Sequence, residues 1–159
     1  HHRLIPAHHW LLAGPFPDST TPDPAELADA LGVWKPAESV GSVFSGYLDL
    51  TPLLKSSLVA SARSMIYAHL RIVSPSEQEV SIRLGLTGEA TGWLNGNEIL
   101  RAKQKANLNL DNANVIRATL QKGENILLLR MTPAAEFPGL IVRFLDPKGN
   151  ALSNLHFGD

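Results

Sequence analysis

The chain has 159 residues, 44% hydrophobic and 18% charged, with a formal net charge of −1. That length supports one domain with a full core, and the near-zero charge excludes an overall field that would favour nucleic acid or a membrane surface. Cysteine is absent, so disulfides and thiolate metal sites are excluded and the redox compartment cannot be read.

His1-His2 reads as the remnant of a purification tag. The opening residues do not read as a signal peptide, and no apolar run approaches the ~20 residues of a membrane span. Residues 1–159 read as a single β-sandwich domain, expected to have been cut from a larger protein. His9 to Pro17 is a short apolar strand closed by Gly and Pro. Asp18 to Asp23 is a loop rich in Ser, Thr, Pro and Asp. Asp23-Pro24-Ala25-Glu26 has the pattern of a helix start, with Asp23 as N-cap and Pro24 at the first helical position, and the helix stops near Gly32. Trp34-Lys35-Pro36 opens an irregular stretch. Phe44 to Leu50 suits an edge strand, and Leu48 to Leu54 suggests a capped helical turn.

From Ser64 the pattern becomes regular. Ile66, Ala68, Leu70 and Ile72 alternate with Tyr67, His69 and Arg71; Val80, Ile82, Leu84 and Leu86 alternate with Ser81, Arg83 and Gly85. Period-2 alternation marks strands with one buried face. Ser74 to Glu77 is the turn between them, and Thr87 to Ala90 is expected to turn into a further strand, Ala90 to Leu94. Asn95-Gly96 suits a type I′ turn, whose two central residues need positive φ. Glu98 to Leu100 is its return strand, and Gln104 to Asn114 is a polar, Asn-rich loop. Val115 to Leu120, Asn125 to Met131 and Leu140 to Leu145 complete the strands, with a turn at Lys122-Gly123. Ile126 to Leu129 has no polar position, which predicts a central strand. Hairpins, little helix and no βαβ rhythm predict two packed antiparallel sheets.

Six segments carry a resemblance: Trp10 to Pro17, Gly46 to Leu50, Tyr67-Ala68-His69-Leu70, Trp93-Leu94-Asn95-Gly96, Leu120 to Leu128, and Arg143 to Gly149. Together they resemble the galactose-binding-domain-like β-sandwich, a jelly roll appended to bacterial polysaccharide-degrading enzymes and to large secreted proteins. The resemblance implies an all-β jelly roll with one or two short N-terminal helices, an accessory role and an extracellular or periplasmic setting. It carries over no binding residue, because the matched Asn and Gly positions shape turns and glycan sites in this fold sit in variable loops. Structural calcium is common in such modules. Here Asn107, Asn109, Asp111 and Asn112 supply oxygens but a single carboxylate.

Catalytic patterns are missing. The histidines show no ligand spacing such as HExxH, and Gly41 to Gly46 is not a nucleophile elbow. Glu77 and Glu79 share a strand face with nothing to raise a pKa for acid catalysis. Trp34 is the first ligand candidate, since sugar C–H faces stack on exposed aromatic planes; the alternative is that it covers the end of the core. Trp10 and Trp93 lie on expected strands and read as packing residues, with the face of Trp93 set by whether the Thr87-Ala90 turn has two or three residues. Arg71, Arg83, Arg117, Arg130 and Arg143 alternate with core residues and would form one basic face if their strands share a sheet. Such a face would suit acidic polysaccharides, or simply be solvated. Arg101-Lys103-Lys105 is either a ligand rim or a guard on an edge strand. The expected function is carbohydrate binding by a non-catalytic module: Trp34 docks the glycan, and Arg101, Lys103 and Asn107 bond its hydroxyls. The expected partners are a poly- or oligosaccharide and neighbouring domains of the parent, with no nucleic acid and no membrane. The alternative is a structural domain that packs on a catalytic neighbour without binding sugar, with an apolar patch around Phe137 and Trp34.

Overall fold

A computed structural model describes residues 10–17, 35–36, 47–49, 64–107, 114–132, 139–150, 152 and 154–158. They form ten strands: β1 (Trp10–Pro17), β2 (Lys35–Pro36), β3 (Tyr47–Asp49), β4 (Ser64–Ser74), β5 (Gln78–Leu94), β6 (Asn97–Asn107), β7 (Asn114–Leu120), β8 (Gly123–Thr132), β9 (Gly139–Leu145) and β10 (His156–Phe157). Every pairing is antiparallel, and no helix occurs among the described residues.

β5 organises the molecule. Its first half pairs with β7 and β9, through registers such as Ile82 with Ile116 and Ile82 with Phe144. Its second half pairs with β8 and β6, as in Thr91 with Arg130 and Thr91 with Arg101. One sheet therefore runs β2-β1-β4-β8-β5-β6 and the other β7-β5-β9-β3, with β5 passing from one to the other. The expected turn at Thr87 to Ala90 is absent, because these residues lie inside one 17-residue strand. Gly85 and Gly88 lie at the crossing, where the register against β6 shifts between Leu86 and Gly88. Bulges and small residues let a strand bend from one sheet into the next.

The core lies between the two sheets. Ile66, Leu70, Ile72, Leu127, Leu129 and Met131 from the first meet Val80, Ile82, Leu84, Val142 and Phe144 from the second, all nearly inaccessible. Trp10 belongs to this core, as expected. The expected central strand, Ile126 to Leu129, lies within β8, between β4 and β5. Gly92 is also a packing position: a Cβ there would sit 3.0 Å from Leu129 Cδ2 and 3.4 Å from Leu100 Cβ.

Two further expectations change. The return strand after Asn95-Gly96 extends to Asn107, so residues 104–107 of the expected loop are strand. The long β5 offers these polar residues backbone partners, and polar side chains are what an edge strand carries. Lys35-Pro36, expected as irregular, pairs with Leu11 and Leu12 at the other edge, where a proline is tolerated. Tyr47 to Asp49 pairs with β9, so Leu48 and Asp49 begin no helical turn. The helix expected from Asp23 lies outside the described residues, as do Asn109, Asp111, Asn112 and Phe137.

The Asn95-Gly96 turn has φ of 51° and 84°, as a type I′ turn requires. The two turn motifs of the sequence meet in space. Asn125 is fully buried, and its Oδ1 accepts hydrogen bonds from the Asn95 side-chain amide and the Gln121 backbone N–H, each at 2.9 Å. Its Nδ2 donates to the carbonyls of Gln121 (3.0 Å) and Gly123 (3.1 Å). Asn95 Oδ1 in turn accepts from the Ile126 N–H at 2.9 Å. Both asparagines are thereby structural: they tie the β5–β6 turn to the β7–β8 turn.

Candidate functional site

Alternation sends one side-chain row of each strand away from the core. On the first sheet that outer row includes Met65 and Tyr67 on β4, Leu128, Arg130 and Thr132 on β8, Glu89, Thr91 and Trp93 on β5, and Arg101 on β6. Tyr67, Leu128 and Ala13 form a small second apolar cluster, with the half-buried Trp93 against it. Tyr67 is thus a packing residue and not part of an open polar face.

Beside this cluster lies a cleft of about 350 Å³ lined by Met65, Glu89, Thr91, Arg101, Arg130 and Thr132. Cross-strand pairing builds it. Thr91 has Arg130 on one side and Arg101 on the other, and Glu89 faces Thr132. The volume is at the small end for ligand pockets. Its polar wall comes from three strands, β5, β6 and β8, which hold side chains more firmly than loops do.

The two arginines are held differently. Arg101 donates from Nε and Nη2 to Glu98 Oε1 at 3.0 and 2.8 Å. Its side chain is 80% exposed, so the pair is weakly held and open to exchange. Arg130 lies over the Trp93 ring, with Cζ 5.2 Å from the ring centroid. The ring's negative face attracts the guanidinium and favours its place over the ring. Among the described residues no hydrogen-bond acceptor or carboxylate engages Arg130. A third arginine of this face, Arg71, is fully committed: Nε donates to Glu124 Oε2 at 2.6 Å and Nη1 to the Gly158 carbonyl at 2.9 Å.

The five alternating arginines do not share a face. Arg71 and Arg130 lie on the first sheet, whereas Arg83, Arg117 and Arg143 lie outside the second. The sheet change within β5 separates them, and that change has no period-2 signature.

Of the expected ligand residues, Arg101 lies in the cleft. Lys103 pairs with Glu89 and Asn107 with Leu86 along the same edge strand, so Asn107 ends a strand and is not in a loop. Trp34 lies outside the described residues. Trp93 packs against the second apolar cluster, as the sequence reading expects; what that reading missed is that its ring also lies under Arg130 at the cleft. Its signal was its two-residue offset from Thr91 on one strand face, hidden by the turn expected at Thr87 to Ala90. No group of three or more His, Asp or Glu side chains that could hold a metal occurs among the described residues.

No family model matches the chain, and a comparison with curated proteins finds no match. Solved structures do match in fold. A β-glucosidase from Kluyveromyces marxianus in complex with glucose aligns over 96% of this chain and 18% of its own, at 15% identity and a TM-score of 0.55. A selenomethionine-labelled structure of β-glucosidase from the same organism aligns over 96% of this chain and 20% of its own, at 14% identity and a TM-score of 0.51. A β-glucuronidase from Faecalibacterium prausnitzii aligns over 77% of this chain and 19% of its own, at 17% identity and a TM-score of 0.50. The chain thus spans no more than 20% of the length of these proteins. At such identities the likeness is one of fold.

Proposed function

We propose that the chain is a non-catalytic carbohydrate-binding module of the galactose-binding-like type, part of a larger secreted, polysaccharide-active bacterial protein. The observation that carries this reading is the cleft on the outer face of the first sheet, where Arg130 is laid on Trp93 beside Thr91, Thr132, Arg101 and Glu89. Hydroxyls, a carboxylate and guanidinium forks on rigid strands are the donors and acceptors that sugar hydroxyls need. A sugar ring would sit against Met65 and the stem of Arg130, with its hydroxyls toward the threonines and Glu89. Trp34 is the proposed stacking partner, and Lys103 and Asn107 the proposed rim. The fold likeness to parts of two glycosidases supports an accessory place in a longer chain.

An affinity-gel and glycan-array screen of neutral and acidic polysaccharides, with and without calcium, tests the reading. Saturable binding that Thr91→Val and Arg130→Gln weaken, with the melting temperature preserved, is the expected result. Silence across the panel would instead favour a structural domain whose partner is the rest of its own polypeptide.

A further inference from the structure

We infer that the cleft is selective for a carboxylate-bearing sugar, a hexuronate unit of an acidic glycan, and that Arg130 is the residue that reads the carboxylate. This deepens the sugar-binding reading of the same cleft and rests on it. Arg130 lines the cleft, lies over the Trp93 ring, and has no hydrogen-bond acceptor among the described residues. A guanidinium presents five N–H donors in a rigid fork that matches the two oxygens of a carboxylate. A neutral hydroxyl uses one of those donors and leaves the charge without a counter-ion.

The neighbouring charges narrow the ligand further. Arg101 is paired with Glu98, so among the described residues Arg130 is the cleft cation that no carboxylate engages. Glu89 stands on the same wall, opposite Thr132. Its carboxylate oxygens, with several lone-pair sites, would accept hydrogen bonds from sugar hydroxyls. One guanidinium fork of this kind matches one carboxylate per bound residue. Trp93 acts here as a positioning residue: it holds the guanidinium over its ring at the cleft wall and acts on the sugar only through Arg130.

The test compares trigalacturonate with its fully methyl-esterified form, by calorimetric titration of the whole chain. The ester keeps the size and the hydroxyls and removes the charge. The expected result is saturable binding of the acid, at least ~10-fold weaker binding of the ester, and loss of that preference in Arg130→Gln. Arg130→Lys, which keeps the charge and loses the fork, should recover only part of it. Trp93→Leu should reduce the preference while leaving ester binding nearly unchanged, which a general loss of structure would not do. Equal binding of acid and ester, or binding of neutral glycans alone, would overturn the carboxylate inference and leave the sugar-binding reading intact. Absence of binding to the acid, the ester and neutral oligosaccharides alike would overturn both.

Discussion

The outer faces of the two sheets both carry arginines in cross-strand rows, and the rows have opposite characters. On the first sheet Arg130 lines a cleft and lies on an aromatic ring, with its donors directed at no protein acceptor among the described residues. On the second sheet Arg83 sits directly opposite Arg143, and the Nε atom of each is buried without a hydrogen bond. Arg143 has a contact elsewhere in the chain; Arg83 Nε has none. Like charges facing each other across a strand pair oppose folding, and a buried donor left unsatisfied costs about 1–3 kcal/mol. The same residue type at the same kind of position thus lines a cleft on one face and carries a buried, unbonded Nε on the other. What differs is access, set by which half of β5 the neighbouring strands join.

The largest expected effect removes the frame that both faces share. Asn125→Ala should cost about 3 kcal/mol in urea denaturation, because it leaves the Gln121 N–H and the Asn95 amide without their buried acceptor. A loss below about 1 kcal/mol would mean that the turn-to-turn network does not hold β5 in register. Gly92→Val should cost about 2 kcal/mol by forcing a side chain against Leu129 and Leu100 at the centre of the first sheet.

Smaller effects separate the two faces by sign. Arg83→Met should be neutral or stabilising by about 1 kcal/mol, since an apolar chain of similar length removes the buried donor and the like-charge contact. Arg130→Met should instead destabilise by about 0.5 kcal/mol through the lost contact with Trp93. Thermal melts of the two variants check this, and equal signs would erase the contrast.

The smallest effect concerns pH. Asp146, at the turn after β9, is held below the usual carboxylate range, chiefly by the backbone N–H of Asn150 and also by that of Lys148. A lowered folded-state pKa means that the contribution is fully present above the unfolded value and is lost as pH falls through the folded one. Melting temperature should therefore fall slightly further in strong acid for the natural chain than for Asp146→Asn. Identical acid limbs would show that this turn contributes nothing.

Much of the fold was legible because it is local. Ile66 to Ile72 and Val80 to Leu84 alternate as strands with one buried face must, and Asn95-Gly96 names its own turn. What stayed hidden was non-local. Nothing in Thr87 to Ala90 says that a strand continues through it into another sheet, because that depends on β6, β8 and β9 being present to pair with it. The cleft was hidden for the same reason: Met65, Thr91, Arg101 and Arg130 are far apart in sequence and meet only through register. Arg101 was found as part of a basic run, and Trp93 as a packing residue; its contact with Arg130 stayed hidden because its face depended on a turn that is absent.

The most direct measurement is a nitrogen-15 NMR titration of the arginine Nε–Hε and tryptophan indole signals with the acidic oligosaccharide. Saturable shifts confined to Arg130, Arg101 and Trp93, with Arg83, Arg117 and Arg143 unmoved, are the expected result. Shifts at Arg83 and Arg143 with Arg130 unmoved would place the ligand on the second sheet and contradict the assignment of the site.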